Sequence, residues 1–441
     1  MLPELVSSLT LFAAIDLPIV IRIGLVAVLT VAACASIGSL LVLRRMSLMG
    51  DAISHAVLPG LVLAFLFTGD LSSNTMLIGA FAVGLLTTWL IQALENLGGI
   101  AADSSMGVVF TTLFASGVVL LKAVTGGKVD LDVDCVLNGS LSTITLDTVE
   151  LLGYEVPRSA MMLSTVLVIN LVVLVVLWKE LRLCAFDPQF AATSGFRPGL
   201  LHYLIMALTA MTAVAAFQAV GSILVIAMLI VPAATAQLLT DRMNRYVILS
   251  VVIAVVMAVC GVALGHYSER LHEAEPAALI AVCAGCIFAL TVIFAPRYGL
   301  FFQFLHRSRQ SLRIIGEDLL AMFYRLDELA PGRKLGTNEA VQSVGGGWLA
   351  RFALWRQMNK GFIEYRSNGW ELSKKGEQTA ANLVRSHRLW EAWLVQHLGL
   401  PLDHVHDPAE RMEHYIDPQL QAEISREMGD RAQDPHGRKI P

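Results

Sequence analysis

Asp51 and His55 stand four apart in the run SLMGDAISHAVLPG (residues 47–60), so on a helix they project from one face. An ionisable residue at membrane depth is costly and normally faces a cavity or a partner. A carboxylate and an imidazole on one face suit a borderline divalent cation such as Mn²⁺, Fe²⁺ or Zn²⁺. One such pair is half a site, and two copies across a dimer axis would supply the remaining ligands. The alternative is that Asp51 caps its helix and His55 hydrogen-bonds a neighbouring span. Far along the chain, His387 and Glu391 form another i,i+4 pair. His406 precedes Glu410, Glu413 and His414, which lie on one helical face. These residues are enough to start a metal site, although a solvated acidic face has the same spacing.

The elements that must position these residues differ in solvent preference. The chain has 441 residues, 55% of them hydrophobic and 15% charged, with a mean hydropathy of +0.64. An average soluble domain is about a quarter charged. Up to Pro296 the sequence is a series of long apolar runs, and from His306 onward it reads as an ordinary soluble protein. A net charge of −4 gives no argument for nucleic acid. Cys34, Cys135, Cys184, Cys260, Cys283 and Cys286 mostly fall in apolar runs and read as small buried hydrophobes. The N-terminus lacks a basic region and a cleavage site, so no cleaved signal peptide is expected.

A bilayer core of about 30 Å needs about 20 mostly apolar residues per helix. Candidate spans run over 18–43, 52–68, 75–94, 106–121, 161–178, 200–217, 221–239, 246–264 and 276–295. The sixth and seventh are separated only by a tight turn at 217–220. Arg44, Arg45, Lys179, Arg182, Arg197, Arg242, Arg245, Arg297, Arg307, Arg309 and Arg313 fall on one side if the N-terminus is outside. Lys122, Lys128, Arg158 and Arg270 are spread over longer loops on the other. The soluble tail is therefore expected in the cytoplasm. The small residues of 221–237 suit close helix packing, with Pro232 as a bend; lining of a transport path is the alternative.

SLMGDAISHAVLPG and VGSILVIAMLIVPAATAQLLTDRM resemble the two signature stretches of the ABC-3 class of metal importers, the manganese, zinc and iron permeases. The resemblance covers about 20–297. It implies that Asp51 and His55 line the metal path. It also implies that the loop 184–195, with Phe186, Asp187, Pro188 and Phe190, docks onto a cytoplasmic ATPase. No G-x-x-x-x-G-K-[ST] is present, since Gly126-Gly127-Lys128 lacks the earlier glycine, so ATP hydrolysis falls to a separate subunit. An extracytoplasmic metal-binding protein and a second permease copy are implied partners, and a bacterial inner membrane is the implied location.

From Ser311 the pattern is helix, helix, helix, hairpin, helix, the layout of a winged helix. Residues 317–329 are amphipathic, residues 348–359 form a helix stopped by Gly361, and Ser367-Asn368-Gly369 is a hairpin turn. SHRLWEAWLVQHLGL, VHDPAERMEHYID and PHGRKIP resemble the metal-binding and dimerisation domain of the DtxR/MntR class of metalloregulators. That resemblance puts Glu410, Glu413 and His414 on the primary metal positions, with Asp318 supplied by the first helix. His387, Glu391 and His406 fall on a neighbouring site. A carboxylate at 410 tilts the site toward harder Mn²⁺. Ala321 stands where manganese-type members have a further carboxylate. The expected DNA-reading helix begins Gly345-Gly-Gly-Trp348-Leu349-Ala-Arg351-Phe352 and lacks the polar residues such helices start with, so DNA is not the expected partner.

The expected fold is an all-α polytopic membrane protein with a C-terminal α+β winged helix and a helical metal-binding domain. Its expected divisions are a permease over 1–300, a winged helix over 311–376 and a metal-binding and dimerisation domain over 377–441. The expected function is a divalent-metal permease, Mn²⁺, Fe²⁺ or Zn²⁺ being both substrate and regulatory ligand. The rivals are a membrane-anchored transcription regulator and, without an H-E-x-x-H or nucleophile–base pair to support it, an intramembrane enzyme.

Overall fold

The computed structural model describes residues 2–68, 73–125, 141, 148–151, 154–268, 274–366, 369–429 and 432–441. Readings made at Cys135, Arg270, the Gly126-Gly127-Lys128 stretch and the turn residues Ser367 and Asn368 lie outside the described residues. The chain divides into two compact units, Met1–Phe302 and Gln303–Pro441.

The first unit is helical. Its elements are α1 (Leu2–Leu43), α2 (Met49–Ala56), α3 (Leu58–Thr68), α4 (Ser73–Gly98) and α5 (Ala102–Thr125), then α6 (Arg158–Val176), α7 (Trp178–Phe186) and α8 (Pro188–Thr193). After these come α9 (Pro198–Val220), α10 (Ser222–Leu239), α11 (Met243–Tyr267) and α12 (Pro276–Phe294). Among the described residues, nine segments are long and apolar enough to cross a membrane, α2 and α3 counting together as Met49–Thr68. A short antiparallel hairpin, β1 (Thr148–Leu151) with β2 (Tyr154–Pro157), precedes α6.

The sequence reads 52–68 as one span, but the helix is interrupted at Val57. Pro59 has no N–H to give and its ring crowds the carbonyl of the preceding turn, so Gly60 N–H bonds Val57 O at 3.0 Å in a tightened turn. The turn between α9 and α10 is a single residue, Gly221, at φ 82°, where a Cβ would be strained.

The core of this unit sits where α1, α9 and α10 meet, with Ile37, Leu41, Met206, Ala213, Leu224 and Met228 buried. Small residues let the backbones touch. A Cβ on Gly38 would stand 2.1 Å from Leu229 O, and Gly60 and Gly79 face each other so closely that a Cβ on either meets the other's carbonyl oxygen at 2.3–2.4 Å. Some polar groups at this depth are paired across helices: Asn170 Nδ2 donates to Thr212 Oγ1 at 2.8 Å, and Tyr246 OH donates to Ser39 O at 3.1 Å. On α11, Ile248, Val252, Val256 and Val259 form an exposed apolar stripe, the surface a lipid-facing helix presents.

The second unit contains all but the first residues of α13 (Leu300–Leu329), with α14 (Thr337–Gln342), α15 (Gly347–Asn359), β3 (Ile363–Arg366), β4 (Gly369–Leu372) and α16 (Lys374–Leu398). A 3₁₀ turn at Leu402–His404, α17 (His406–Met412) and α18 (Pro418–Glu427) complete it. Strands β3 and β4 pair antiparallel from Ile363↔Leu372 to Arg366↔Gly369, and Leu335 bridges to Trp370 on the other side. Leu319, Leu320, Phe323, Val341, Leu354 and Ile363 form the core of this winged helix. Ser373 caps α16 by accepting from Gly376 N–H at 3.0 Å, and Gly399 at φ 62° ends it. A smaller core of Leu389, Ala392, Ile424, Met428 and Ile440 holds α16 against α18 and the C-terminal segment.

Candidate metal centres

In the membrane unit Asp51 and His55 lie on α2, with His55 Nε2 3.5 Å from Asp51 Oδ1. The helix is capped by Leu48 without a side-chain bond, so Asp51 is not its cap. His55 sits against aromatic rings of α5, with centroids 5.9 Å from Phe110 and 6.0 Å from Phe114. The two side chains remain 39% and 51% exposed, so this chain alone leaves part of the ligand sphere open.

The loop expected to meet an ATPase is a tight helical corner. Asp187 Oδ1 accepts from Phe190 N–H at 2.9 Å, capping α8, and Pro188 occupies the first helical turn, where its missing N–H is harmless. The cap leaves Phe186 and Phe190 exposed, an apolar pair without a buried partner face.

In the tail, α13 and the turn after α17 bring Asp318, Glu413 and His414 together, with ligand atoms within 4.8 Å of one another. His414 Nε2 lies 3.1 Å from Asp318 Oδ1 and 4.0 Å from Glu413 Oε1. Its other ring nitrogen, Nδ1, is 2.8 Å from Glu317 Oε2, a carboxylate that fixes the ring as a supporting residue does for a metal-bound histidine. Burial works against the His414 imidazolium, but hydrogen bonds to Asp318 and Glu317 and the charge of Glu413 outweigh it, raising its pKa to about 9. Glu410, expected in this group, is exposed on α17; it lines the adjoining cavity of about 540 Å³ without its carboxylate joining the convergent atoms.

His387, Glu391 and His406 form a neighbouring group. His387 Nε2 is 3.1 Å from both Glu391 Oε1 and His406 Nδ1, and His406 Nδ1 is 3.0 Å from Glu391 Oε1. Burial raises the Glu391 pKa, but hydrogen bonds from His387 and His406 pull it down to about 2. Burial likewise opposes the charged form of His387, while Glu391 and Glu413 raise its pKa overall.

The sequence reading missed several residues here. Glu317 is next to Asp318 and Arg325 is two turns on, but only tertiary structure aims them at His414 and Glu413. Arg325 Nη2 lies 3.6 Å from Glu413 Oε2. Asp434 and His436 join Glu391 in a further acidic group. Asp434 is occupied as a turn cap, accepting from His436 and Arg438 N–H at 2.9 and 2.7 Å.

Two carboxylates and an imidazole converging from separate elements fit a divalent ion of the Mn²⁺–Zn²⁺ series. On α15, Trp348, Phe352 and Trp355 are exposed at helical spacing, and Arg351 reaches back toward Asn338 at 3.5 Å. That face is largely apolar, whereas base and phosphate contacts need polar and cationic groups.

Residues 16–295 match the model of the ABC 3 transport family, and residues 373–441 match the iron dependent repressor metal binding and dimerisation domain. The manganese transport system membrane protein MntD of Bacillus subtilis is 43% identical over 62% of this chain and 90% of its own length. A Chlamydia trachomatis protein described as a probable metal transport system membrane protein is 28% identical over 92% of both chains, so that likeness extends through the tail. Among solved structures, PsaBC from Streptococcus pneumoniae in complex with Fab matches with a TM-score of 0.53 and 28% identity, covering 68% of this chain and 98% of its own.

Proposed function

Because the chain belongs to the ABC 3 transport family, we propose that it is the membrane permease of an ATP-driven importer carrying a divalent transition metal into the cytoplasm, with a fused metal-sensing tail. The observation that carries the sensing half is the convergence of Asp318, Glu413 and His414 from separate elements. The transport half rests on Asp51 and His55, an ionisable pair on one face of a span, set against Phe110 and Phe114.

Manganese is the favoured substrate. The MntD relative is named for manganese, and the two-carboxylate set of the tail, which would sense the same ion, suits a hard cation. Zinc and iron satisfy the same donor types, so competition experiments decide among them. The exposed Phe186 and Phe190 beside the Asp187–Pro188 cap are the surface for a separate ATPase subunit. An extracytoplasmic metal-binding protein would deliver the ion, and a second permease copy would complete the ligand sphere at Asp51 and His55. The distribution of Arg and Lys supports an outside N-terminus and a cytoplasmic tail in a bacterial inner membrane.

In the tail, Asp318, Glu413 and His414 would hold the regulatory ion, with Glu317 orienting the imidazole. When bound, that ion would supply a fixed positive charge drawing α13 and the turn after α17 together. It can bias transport only through a difference in affinity between two arrangements of the tail. The apolar face of α15 supports a sensor in preference to a base-reading domain.

The test is uptake of radioactive manganese into proteoliposomes containing the permease and its ATPase, with internal Mn²⁺ varied. Inhibition by internal metal in the wild type, absent in Glu413→Gln, is the expected result. Equal inhibition in both would remove the sensing half, and uptake unaffected by Asp51→Asn would remove the transport assignment of that pair.

A further inference from the structure

We propose that the Arg325 guanidinium is a built-in cation standing where a second metal ion would be bridged by Glu413, so that this pocket takes one divalent ion and not a pair. The inference rests on the sensor reading and deepens it.

Asp318, Ala321, Met322 and Arg325 occupy successive turns of one face of α13, and all of them line the cavity that Glu410 and Glu413 also border. Ala321 is buried and offers no ligand atom. The Glu413 carboxylate, itself buried, has two differently engaged oxygens. Oε1 faces His414 Nε2 at 4.0 Å, on the side of Asp318. Oε2 is taken by His387 Nδ1 at 2.5 Å and by Arg325 Nη2 at 3.6 Å. A carboxylate that bridges two ions must present one oxygen to each. Here the second oxygen already meets a cation.

Arg325 Nη2 is buried and makes no hydrogen bond among the described residues. A guanidinium stays protonated at any physiological pH, so its charge at this point is permanent. A second divalent ion beside it would meet like charge at close range. A ligand-poor residue at 321 and a fixed cation at 325 therefore act in the same sense, each closing the second position. The lone ion at Asp318 and His414 is also repelled by Arg325, which weakens its binding and raises the metal level at which the sensor responds.

The experiment uses the full-length chain purified in detergent with Asp51→Asn, His55→Ala and Glu391→Gln, so that manganese bound in the membrane unit or in the two tail groups that share Glu391 does not enter the count. Equilibrium Mn²⁺ binding and the electron paramagnetic resonance spectrum are recorded with Arg325 intact, with Arg325→Met, with Arg325→Lys and with Ala321→Glu/Arg325→Met. With Arg325 intact the expected spectrum at saturation is that of magnetically isolated Mn²⁺. Arg325→Met should tighten the Glu413-dependent site about tenfold. The double variant should gain one further Mn²⁺ per chain and an exchange-coupled spectrum. Arg325→Lys keeps the cation and should keep single-ion behaviour.

A coupled pair with Arg325 intact would overturn the proposal, as would Lys and Met variants that behave alike. If Glu413→Gln leaves bound manganese unchanged, the tail holds none at this pocket, and both the sensor reading and this inference fail. A coupled pair that Glu413→Gln abolishes would sink the inference alone and leave the sensor standing.

Discussion

His387 Nδ1 meets Glu413 Oε2 at 2.5 Å, a contact between residues 26 apart in sequence that ties the two candidate metal groups of the tail together. Glu413 belongs to the group with Asp318 and His414, and His387 to the group with Glu391 and His406. Filling either group alters the charge on this shared pair, so the two are expected to respond to metal as coupled sites.

Glu413→Gln should lower manganese affinity of the tail by about 100-fold or more, since it removes a ligand and loosens His387 together. His387→Gln should weaken the Asp318 group by a smaller factor, about tenfold, because it acts there only through Glu413. Calorimetric titration of both variants with Mn²⁺ checks the order, and equal losses would show that His387 is itself a ligand of that group.

Metal binding should release protons and strengthen as pH rises. With the His414 pKa raised to about 9, the metal-free ring is protonated at neutral pH and must lose its proton to bind. Affinity should climb about tenfold per pH unit between about pH 7 and 9 and then level off. Titrations in buffers of different ionisation enthalpy would report the proton count.

The same shifts govern stability of the metal-free tail. His414 has a folded pKa of about 9 against an ordinary value of 6.5, so its contribution is complete below pH 6.5 and is lost as pH rises through 9. Glu391, at about 2 against 4.5, contributes above pH 4.5 and loses that contribution as pH falls toward 2. Protection factors for amide exchange of the tail in the metal-free full-length protein, corrected for the intrinsic pH dependence of exchange, should therefore be largest between those limits, at about pH 4.5–6.5.

Arg388 offers a stability test outside the Asp318 and His387 groups. It is 3% exposed and binds both carboxylate oxygens of Glu328 on α13, and Asp434 Oδ2 lies 3.7 Å from its Nε. Arg388→Met should destabilise the tail by about 2–3 kcal/mol, less than the ~3–5 kcal/mol for breaking a fully buried pair, because the Glu328 carboxylate is more than a third exposed and screened by solvent. Faster exchange in 374–441 with unchanged exchange in α9 and α10 is the expected pattern.

Much of this architecture was legible in the sequence because it depends on local rules. Apolar runs of span length give the membrane helices, and the lone Gly221 explains why two spans that nearly touch in sequence are still distinct. Ser373 and Gly399 mark the ends of α16 by type alone. The break at Val57 was missed although Pro59 signals it, since an apolar count treats proline as neutral. The candidate centres were legible as i,i+3 and i,i+4 sets on α16 and in the segment from His406 to His414. What spacing could not reveal was which way a side chain turns. Glu410 shares a helical face with His414, yet tertiary packing leaves it exposed, while Glu317 reaches His414 across 97 residues and Arg325 reaches Glu413 across 88. No local pattern carries contacts of that length.

The mutual contact of Gly60 and Gly79 constrains how α3 and α4 can move. Their backbones touch, each carbonyl filling the space where the other residue would have a Cβ. Sliding one helix past the other by a single residue would set Leu61 or Ala80 into that gap, where no side chain fits. Rolling or tilting about the contact leaves the two glycines together. The pair therefore acts as a bearing, which permits rotation of α3 against α4 and resists translation.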